Sequence, residues 1–186
     1  SFTSSKESGT LAAVSGTEIT LPDTSNNFSG YYNGWSIIFR PDPTGSPNLY
    51  VLRLLSNDYD GVDKTVTISS SVSNLSTSST YELYNNQLET NYAHKNVVLN
   101  TFETSSDGFK LNDSDRKPDS YYVGWKIRTY NPNGSGSISG YVGTTNIITQ
   151  NTGVTLSSDT IYILYPPFQL STNLPNNSDG YYNGWY

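Results

Sequence analysis

The chain has 186 residues, of which 13% are aromatic and only 14% are charged, and its net charge is −6. Disordered chains are poor in aromatic residues and usually carry a high net charge, so this composition indicates a folded protein. The few lysines and arginines are scattered along an acidic chain and form no patch that would neutralise phosphates, which argues against nucleic acid as a partner.

The residue types favour strands over helices throughout the chain. Tyr, Thr, Val and Ile are common, whereas Ala and Glu, which favour helices, are scarce. We therefore predict an all-β fold with no helix longer than about two turns. No apolar run approaches the roughly 20 residues of a membrane span. The absence of cysteine excludes disulfides and thiolate metal sites.

One aromatic phrase occurs three times along the chain, as GYYNGW at 30–35, SYYVGW at 120–125 and GYYNGW at 180–185. A leucine precedes the first tyrosine of each copy at a nearly constant distance of 10, 10 and 11 residues. These leucines are Leu21, Leu111 and Leu170. Self-similarity at this scale indicates tandem structural units.

The end of each unit is also recognisable, because STYELYN at 79–85 resembles TIYILYP at 160–166. Each unit is therefore expected to close on a strand that contains Tyr-x-Leu-Tyr. The sequence predicts one β unit over 1–85, a second over 86–165 and the opening strands of a truncated third over 166–186. The boundary between the first two is expected between Tyr84 and Val97. Each complete unit is predicted to be a small β-sandwich or barrel.

The aromatic phrase is predicted to be a strand with one buried face, because its residues alternate between an apolar and a more polar side. In the second copy, Tyr121, Val123 and Trp125 share the apolar side. We expect Trp35 and Trp125 to be buried core anchors at equivalent places in their units, rather than platforms on which sugars stack.

The second tyrosine of each pair falls on the opposite face of this predicted strand, which makes it the candidate for contact with a glycan. These residues are Tyr32, Tyr122 and Tyr182. A glycine follows two residues later in every copy. Its missing side chain predicts a bulge or a close neighbour that packs over the strand, at Gly34, Gly124 and Gly184.

The remaining strands are predicted at 48–55 and 64–72 in the first unit and at 134–143 and 145–158 in the second. Between the first two, the Asp60–Gly61 step is typical of a hairpin turn.

Two acidic loops resemble calcium sites at first sight, but their spacing is wrong. An EF-hand loop needs a glycine at its sixth position and a glutamate at its twelfth. Neither requirement is met, so we interpret both loops as solvated turns. Their acidic residues are Asp58, Asp60 and Asp63 in one loop and Asp113, Asp115 and Asp119 in the other.

Nothing in the sequence indicates an enzyme. His94 is the only histidine, so a histidine-based metal site lacks further ligands. The chain contains no G-x-S-x-G nucleophile elbow, and no pair of carboxylates is framed by a recognisable cleft. We predict a protein without catalytic residues, cofactor or metal.

The first unit resembles a repeat found in structural proteins of phages and large DNA viruses. The resemblance covers 21–69 and rests on the Leu-Pro step, the Tyr-Tyr-Asn-Gly of 31–34 and the Tyr-Asp-Gly of 59–61. The second unit keeps both tyrosines and the glycine but has Val123 in place of the asparagine and lacks a clear Tyr-Asp-Gly. The resemblance implies a non-enzymatic β module of a virion fibre, spike or capsid-associated protein.

That resemblance implies a place at the virion surface and partners that are other copies or subunits of a larger assembly. The alternative is an extracellular protein, a cell-surface or secreted adhesin whose β repeats bind host glycans. Both interpretations suit tandem β units with low charge and abundant Ser, Thr and Asn.

The sequence contains no methionine, and its third aromatic phrase stands at the very end. We expect the chain to be a piece of a longer protein. An apolar face around Trp185 would also need cover, because leaving it in water costs roughly 2–3 kcal/mol. Residues 181–186 are therefore expected to pack against the second unit, against a neighbouring chain, or to continue into further protein.

Overall fold

The computed structural model describes residues 6–45, 49–85, 98–106, 108–112, 116–151, 153 and 155–166. These residues form thirteen strands and no helix, so the predicted all-β class is confirmed. Several residues that the sequence singled out lie outside the described part of the chain, together with nearly all of the predicted third unit. They are His94, Asp113, Asp115, Tyr182, Gly184 and Trp185.

The first unit contains seven strands, and they pair with one another. They are β1 (Lys6–Thr10), β2 (Ala13–Ser15), β3 (Glu18–Thr20), β4 (Ser36–Arg40), β5 (Val51–Leu54), β6 (Thr65–Thr67) and β7 (Thr80–Tyr84). One sheet has the order β1-β7-β4-β5 and the other β2-β3-β6, with antiparallel neighbours in both. A bridge between Leu55 and Ile68 joins the two sheets along one side.

The second unit is a closed antiparallel barrel of six strands in the order β10-β11-β12-β9-β8-β13. Its strands are β8 (Val98–Glu103), β9 (Phe109–Leu111), β10 (Lys126–Tyr130), β11 (Gly134–Val142), β12 (Ile147–Gln150) and β13 (Ile161–Tyr165). Strand β8 pairs with both β13 and β9 and so closes the barrel.

The two units share this strand order. In the first, β1 pairs with β7 and β2 pairs with β3, so these two short strands together take the place of β8. Loop hydrogen bonds recur as well: the N–H of Gly34 donates to Leu55 at 3.1 Å, and that of Gly124 donates to Ile138 at 2.9 Å. The same chain path therefore occurs twice.

Each unit has its own core, and each core is built around its tryptophan. Trp35 is 4% exposed and Trp125 is 2% exposed, which confirms the prediction that both are buried. The second tyrosine of the phrase packs on the tryptophan edge to face in both units. The ring centroids are 5.0 Å apart for Tyr32 and Trp35 and 4.9 Å apart for Tyr122 and Trp125.

The prediction that the aromatic phrase is a strand is wrong. The phrase forms consecutive turns, in which the N–H of Asn33 donates to Gly30 and that of Trp35 donates to Tyr32, both at 3.1 Å. Strand β4 begins only at Ser36. Residues three apart in such turns lie on the same side, so the second tyrosine joins the tryptophan in the core instead of facing away from it.

The glycine of the phrase is needed for the backbone conformation of the turn, and not to make room for a neighbouring group. Gly34 and Gly124 have φ angles of 71° and 84°, which side chains rarely adopt. A Cβ on Gly124 would meet nothing within 4 Å, so the predicted bulge or close neighbour is wrong there. The close approach occurs instead at Gly61 and Gly143, where a Cβ would overlap the backbone of the preceding loop. The Asp60–Gly61 step is therefore packed against a loop and is not an open hairpin turn.

These two roles of glycine predict different costs for alanine. Gly124→Ala should cost about 1–2 kcal/mol through its φ angle alone. Gly143→Ala should cost about 3 kcal/mol or more, because the new Cβ would overlap the carbonyl oxygen of Lys117 and the loop must shift. Denaturant unfolding followed by tryptophan fluorescence measures both losses, and equal losses would contradict the assignment of the close contact.

Candidate functional site

The glycan contacts predicted at Tyr32 and Tyr122 disagree with the burial of these residues, and the one predicted at Tyr182 lies outside the described residues. Tyr32 and Tyr122 are 0% and 1% exposed, so neither ring presents a face to a sugar. The hydroxyl of Tyr32 donates to Glu7 and accepts from the N–H of Asn26 at 3.1 Å. The first tyrosine of the pair is the more accessible one, with Tyr31 42% exposed. Treating the phrase as a turn would have found this, because residues three apart then share a side.

The aspartates of the first acidic loop bind backbone N–H groups. A carboxylate oxygen of Asp58 accepts from Thr67 at 3.1 Å, and one of Asp60 accepts from Val62 at 2.7 Å and from Asp63 at 3.2 Å. This is the pattern by which an aspartate stabilises a turn. Among the described residues, no three acidic, histidine or cysteine side chains are grouped so that they could hold a metal ion.

In each unit, one buried polar side chain forms hydrogen bonds between a loop and another part of the unit. The sequence did not reveal this pair. Lys64 and Asn146 occupy equivalent places, with φ angles of 59° and 60°, and both are buried. The ammonium group of Lys64 donates to the carbonyl of Asn26 at 3.2 Å, and the side-chain amide of Asn146 donates to the carbonyl of Leu111 at 2.8 Å. Different side chains thus perform the same task, so the correspondence is invisible in the sequence.

A buried cluster of side chains lies between the two units, and we call it the seam. It is a third apolar cluster, separate from both cores. The buried members are Ile38 and Tyr84 from the first unit and Leu99, Tyr130, Ile161 and Ile163 from the second, with Tyr50, Leu52 and Tyr165 packed at the margin.

Alternation along the strands positions these side chains. In β4, Ile37 points into the first core and Ile38 into the seam. In β13, Tyr162 points into the second core and Ile163 into the seam. Strands that are buried on both faces appear in a sequence as continuous apolar runs, and IYIL at 161–164 is such a run. That run, like Ile37-Ile38-Phe39 in β4, is a signal in the sequence that could have indicated the seam.

One carboxylate in the seam binds hydroxyl groups from both units. The hydroxyl groups of Tyr130 and Tyr84 both donate to one carboxylate oxygen of Glu82, at 2.6 and 2.9 Å. The guanidinium of Arg128 lies 4.8 Å from the centre of the Tyr130 ring. A charged acceptor with two hydroxyl donors satisfies groups that would be costly to bury alone.

A reciprocal pair of hydrogen bonds fixes the two units relative to one another. The side-chain amide of Asn131 donates to the carbonyl of Tyr50 at 2.8 Å and accepts from its N–H at 3.0 Å. The asparagine thereby binds a peptide group of the other unit much as a neighbouring strand would. Sliding one unit along the other would break both bonds.

The two units meet through corresponding faces. The outer face of β4 and β7 in the first unit packs against the outer face of β10 and β13 in the second. The matching strand registers place Ile38 at the position of Arg128 and Tyr84 at that of Tyr165. A contact in which both partners use the same patch closes on itself, whereas a head-to-tail contact leads to an open filament.

Burial raises the pKa of the seam tyrosines above the ordinary value of 10.0. For Tyr84 the larger cause is loss of solvent and the next is its hydrogen bond with Tyr130. For Tyr130 the larger cause is again burial, followed by its hydrogen bond to Glu82. Burial also raises the pKa of Tyr165. Neutral hydroxyl groups are therefore part of what holds the seam together.

Comparison of this chain with protein-family models, with curated proteins and with solved structures finds no match. Within the described residues there is also no helix of the length and apolarity that crossing a membrane requires. A role for the protein is therefore inferred from the geometry of the chain itself.

The raised tyrosine pKa values predict loss of stability in alkali. An unfolded tyrosine ionises near pH 10, whereas a buried one keeps its proton, so the contribution of these tyrosines to the free energy of unfolding is constant well below pH 10 and falls above it. Each such tyrosine contributes a slope of at most about 1.4 kcal/mol per pH unit. Urea unfolding from pH 8 to 12 should give a shallower decline in a Tyr84→Phe, Tyr130→Phe double variant. Tyr31→Phe is the exposed control, and an unchanged slope in the double variant would refute the assignment.

Asn131 is expected to be the polar residue on which docking of the units depends most. Asn131→Gly removes both bonds to Tyr50 and keeps a residue that accepts the observed φ of 61°. The expected loss is about 1–3 kcal/mol, because the Tyr50 peptide group loses its partner. Asn133→Gly, at an exposed position two residues away, is the matched control. Equal losses of unfolding free energy in the two variants would contradict the role of the pair.

Proposed function

We propose that this chain is a non-enzymatic structural repeat module of a virion surface fibre, spike or capsid-associated protein, acting as part of a larger assembly. The virion part of the proposal rests on the resemblance over 21–69, and one observation carries the mechanical part: two units of the same strand order are locked face to face through the seam. A module whose work is mechanical needs units that hold a fixed relative position.

The seam supports this role by its composition. Contacts between domains of one chain are commonly polar, and relative motion is then expected. Here Ile38, Ile161 and Ile163 are at most 2% exposed, and burial of such a side chain contributes about 1.5–3 kcal/mol. The two hydrogen bonds between Asn131 and Tyr50 then select one arrangement of the packed faces. We therefore propose that the pair moves as one block.

Because the two units meet through corresponding faces, they form a closed pair, and this limits how further units can be added. Once the two units are paired, the part of that face that forms the seam is covered on both, so further units bind elsewhere. Exposed apolar side chains are available at one end of the first unit, where Phe28 is 75% exposed and Val62 is 82% exposed. Their loops are joined by the bond from the N–H of Gly61 to the Ser29 hydroxyl at 3.0 Å. We propose pairs of units as building blocks, rather than a rod of identically stacked units.

A glycan-binding adhesin is the second candidate. The observation in its favour is the accessibility of the first tyrosine of the phrase in both units, since Tyr31 is exposed and Tyr121 is half-buried. A lysine ammonium, that of Lys117, lies 5.7 Å from the centre of the Tyr121 ring. Accessible aromatic rings with polar neighbours are suited to stacking against sugars.

The location of the parent polypeptide tests the two candidates against each other. If the proposal is correct, mass spectrometry of purified particles will find its peptides, and mild proteolysis of intact particles will remove them from the surface. Recovery only from a host cell-surface or secreted fraction would refute it. Glycan binding that is lost in both Tyr31→Ala and Tyr121→Ala would then support the adhesin.

A further inference from the structure

The outer face of the barrel in the second unit carries two rows of mostly polar side chains, which we call the grid. Strand β10 lies between β13 and β11, and Lys126 pairs with Tyr165 on one side and with Ser137 on the other. Because Ile127 points into the core, the residues on either side of it point outward. Residues paired across neighbouring strands share a face, so this first row reads Tyr165, Lys126, Ser137.

The second row lies one step further along the same strands. Arg128 pairs with Ile163 of β13 and with Ser135 of β11. Together the two rows place two cations, two serine hydroxyl groups and one phenol on a single face. Arg128 stands at the seam end, where its guanidinium lies over Tyr130. Lys126 stands at the exposed end.

The grid lines a shallow, largely open groove of about 450 Å³. The lining residues are Lys126, Ile127, Arg128, Ser135, Gly136, Ser137 and Tyr165. A groove of this volume greatly exceeds what one small anion fills.

The corresponding face of the first unit has a different character. There, Ser36 stands at the position of Lys126 and Ile38 at that of Arg128. Leu54 and Leu52 stand where the second unit has its two serines. The shared fold therefore does not by itself require cations or hydroxyl groups at these positions, and the polar grid is a property of the second unit.

We propose that this groove binds an acidic saccharide, a sugar that carries carboxylate or sulfate groups. Lysine and arginine donate charge-assisted hydrogen bonds to such groups, and the serine hydroxyl groups match the hydroxyl groups of a sugar ring. Tyr165 also lines the groove and adds an aromatic ring beside them. This inference is independent of the assembly role proposed above, since either a virion module or an adhesin can carry a sugar site.

Titration calorimetry on the full chain tests the proposal with three probes: a disaccharide that carries one carboxylate and one sulfate, the neutral disaccharide lactose, and sodium sulfate. Binding is expected for the acidic disaccharide alone, and its affinity should fall as salt rises. Lys126→Gln removes a charge-assisted hydrogen bond worth about 1.5–3 kcal/mol, so the affinity should fall by roughly tenfold or more.

Two further variants make the result specific. Ser137→Ala should weaken binding to a smaller extent, because it removes one neutral hydrogen bond. Lys110→Gln is the matched control, since this lysine pairs with Glu103 at 2.5 Å on strands away from the groove. Three outcomes would overturn the proposal: no binding of the acidic disaccharide, equal binding of lactose or of sulfate, or unchanged affinity in Lys126→Gln. Lys126 is exposed, so circular dichroism should show that its variant folds normally.

Discussion

The packing of the second tyrosine against the tryptophan is the interaction on which the rest of each unit depends. In both copies the two rings meet edge to face inside consecutive turns, about 5 Å apart. The turn ends where the strand begins, at Ser36 in the first unit and at Lys126 in the second. This start sets which residues of β4 and β10 face the core. Alternation then decides which residues remain for the outer face, including those of the seam and of the groove.

The outer faces have diverged between the two units, while both units have kept one chain path. Ile38 and Leu52 make the face of the first unit apolar, and they pack into the seam. The second unit has Arg128 and Ser135 at the corresponding positions. One unit therefore contributes mainly apolar surface at these positions, whereas the other keeps part of its face polar. This division lets the same fold supply both an internal contact and an open groove.

The proposed assembly role and the proposed sugar site make separate demands on the structure. A mechanical block needs the seam, which combines apolar burial with the pairing of Asn131 and Tyr50. Sugar binding needs an open face with charged and hydroxyl groups, which lies beside the seam around Lys126. Because Arg128 stands between the two, changes at that residue would affect both, whereas changes at Lys126 act on the groove alone.

The sequence by itself determined the all-β class and the burial of Trp35 and Trp125. Both follow from residue types whose preferences are local, such as β-branched and aromatic side chains in strands and tryptophan in cores. Only the tertiary structure decided that the aromatic phrase is a turn. With its glycine at positive φ, the phrase turns back on itself, and residues three apart, the second tyrosine and the tryptophan, lie on the same side. The tertiary structure also decided the partnership of Glu82 with Tyr130 and the grid around Lys126. Such neighbours come from strand register and from docking of the units, which bring together residues that are distant in sequence.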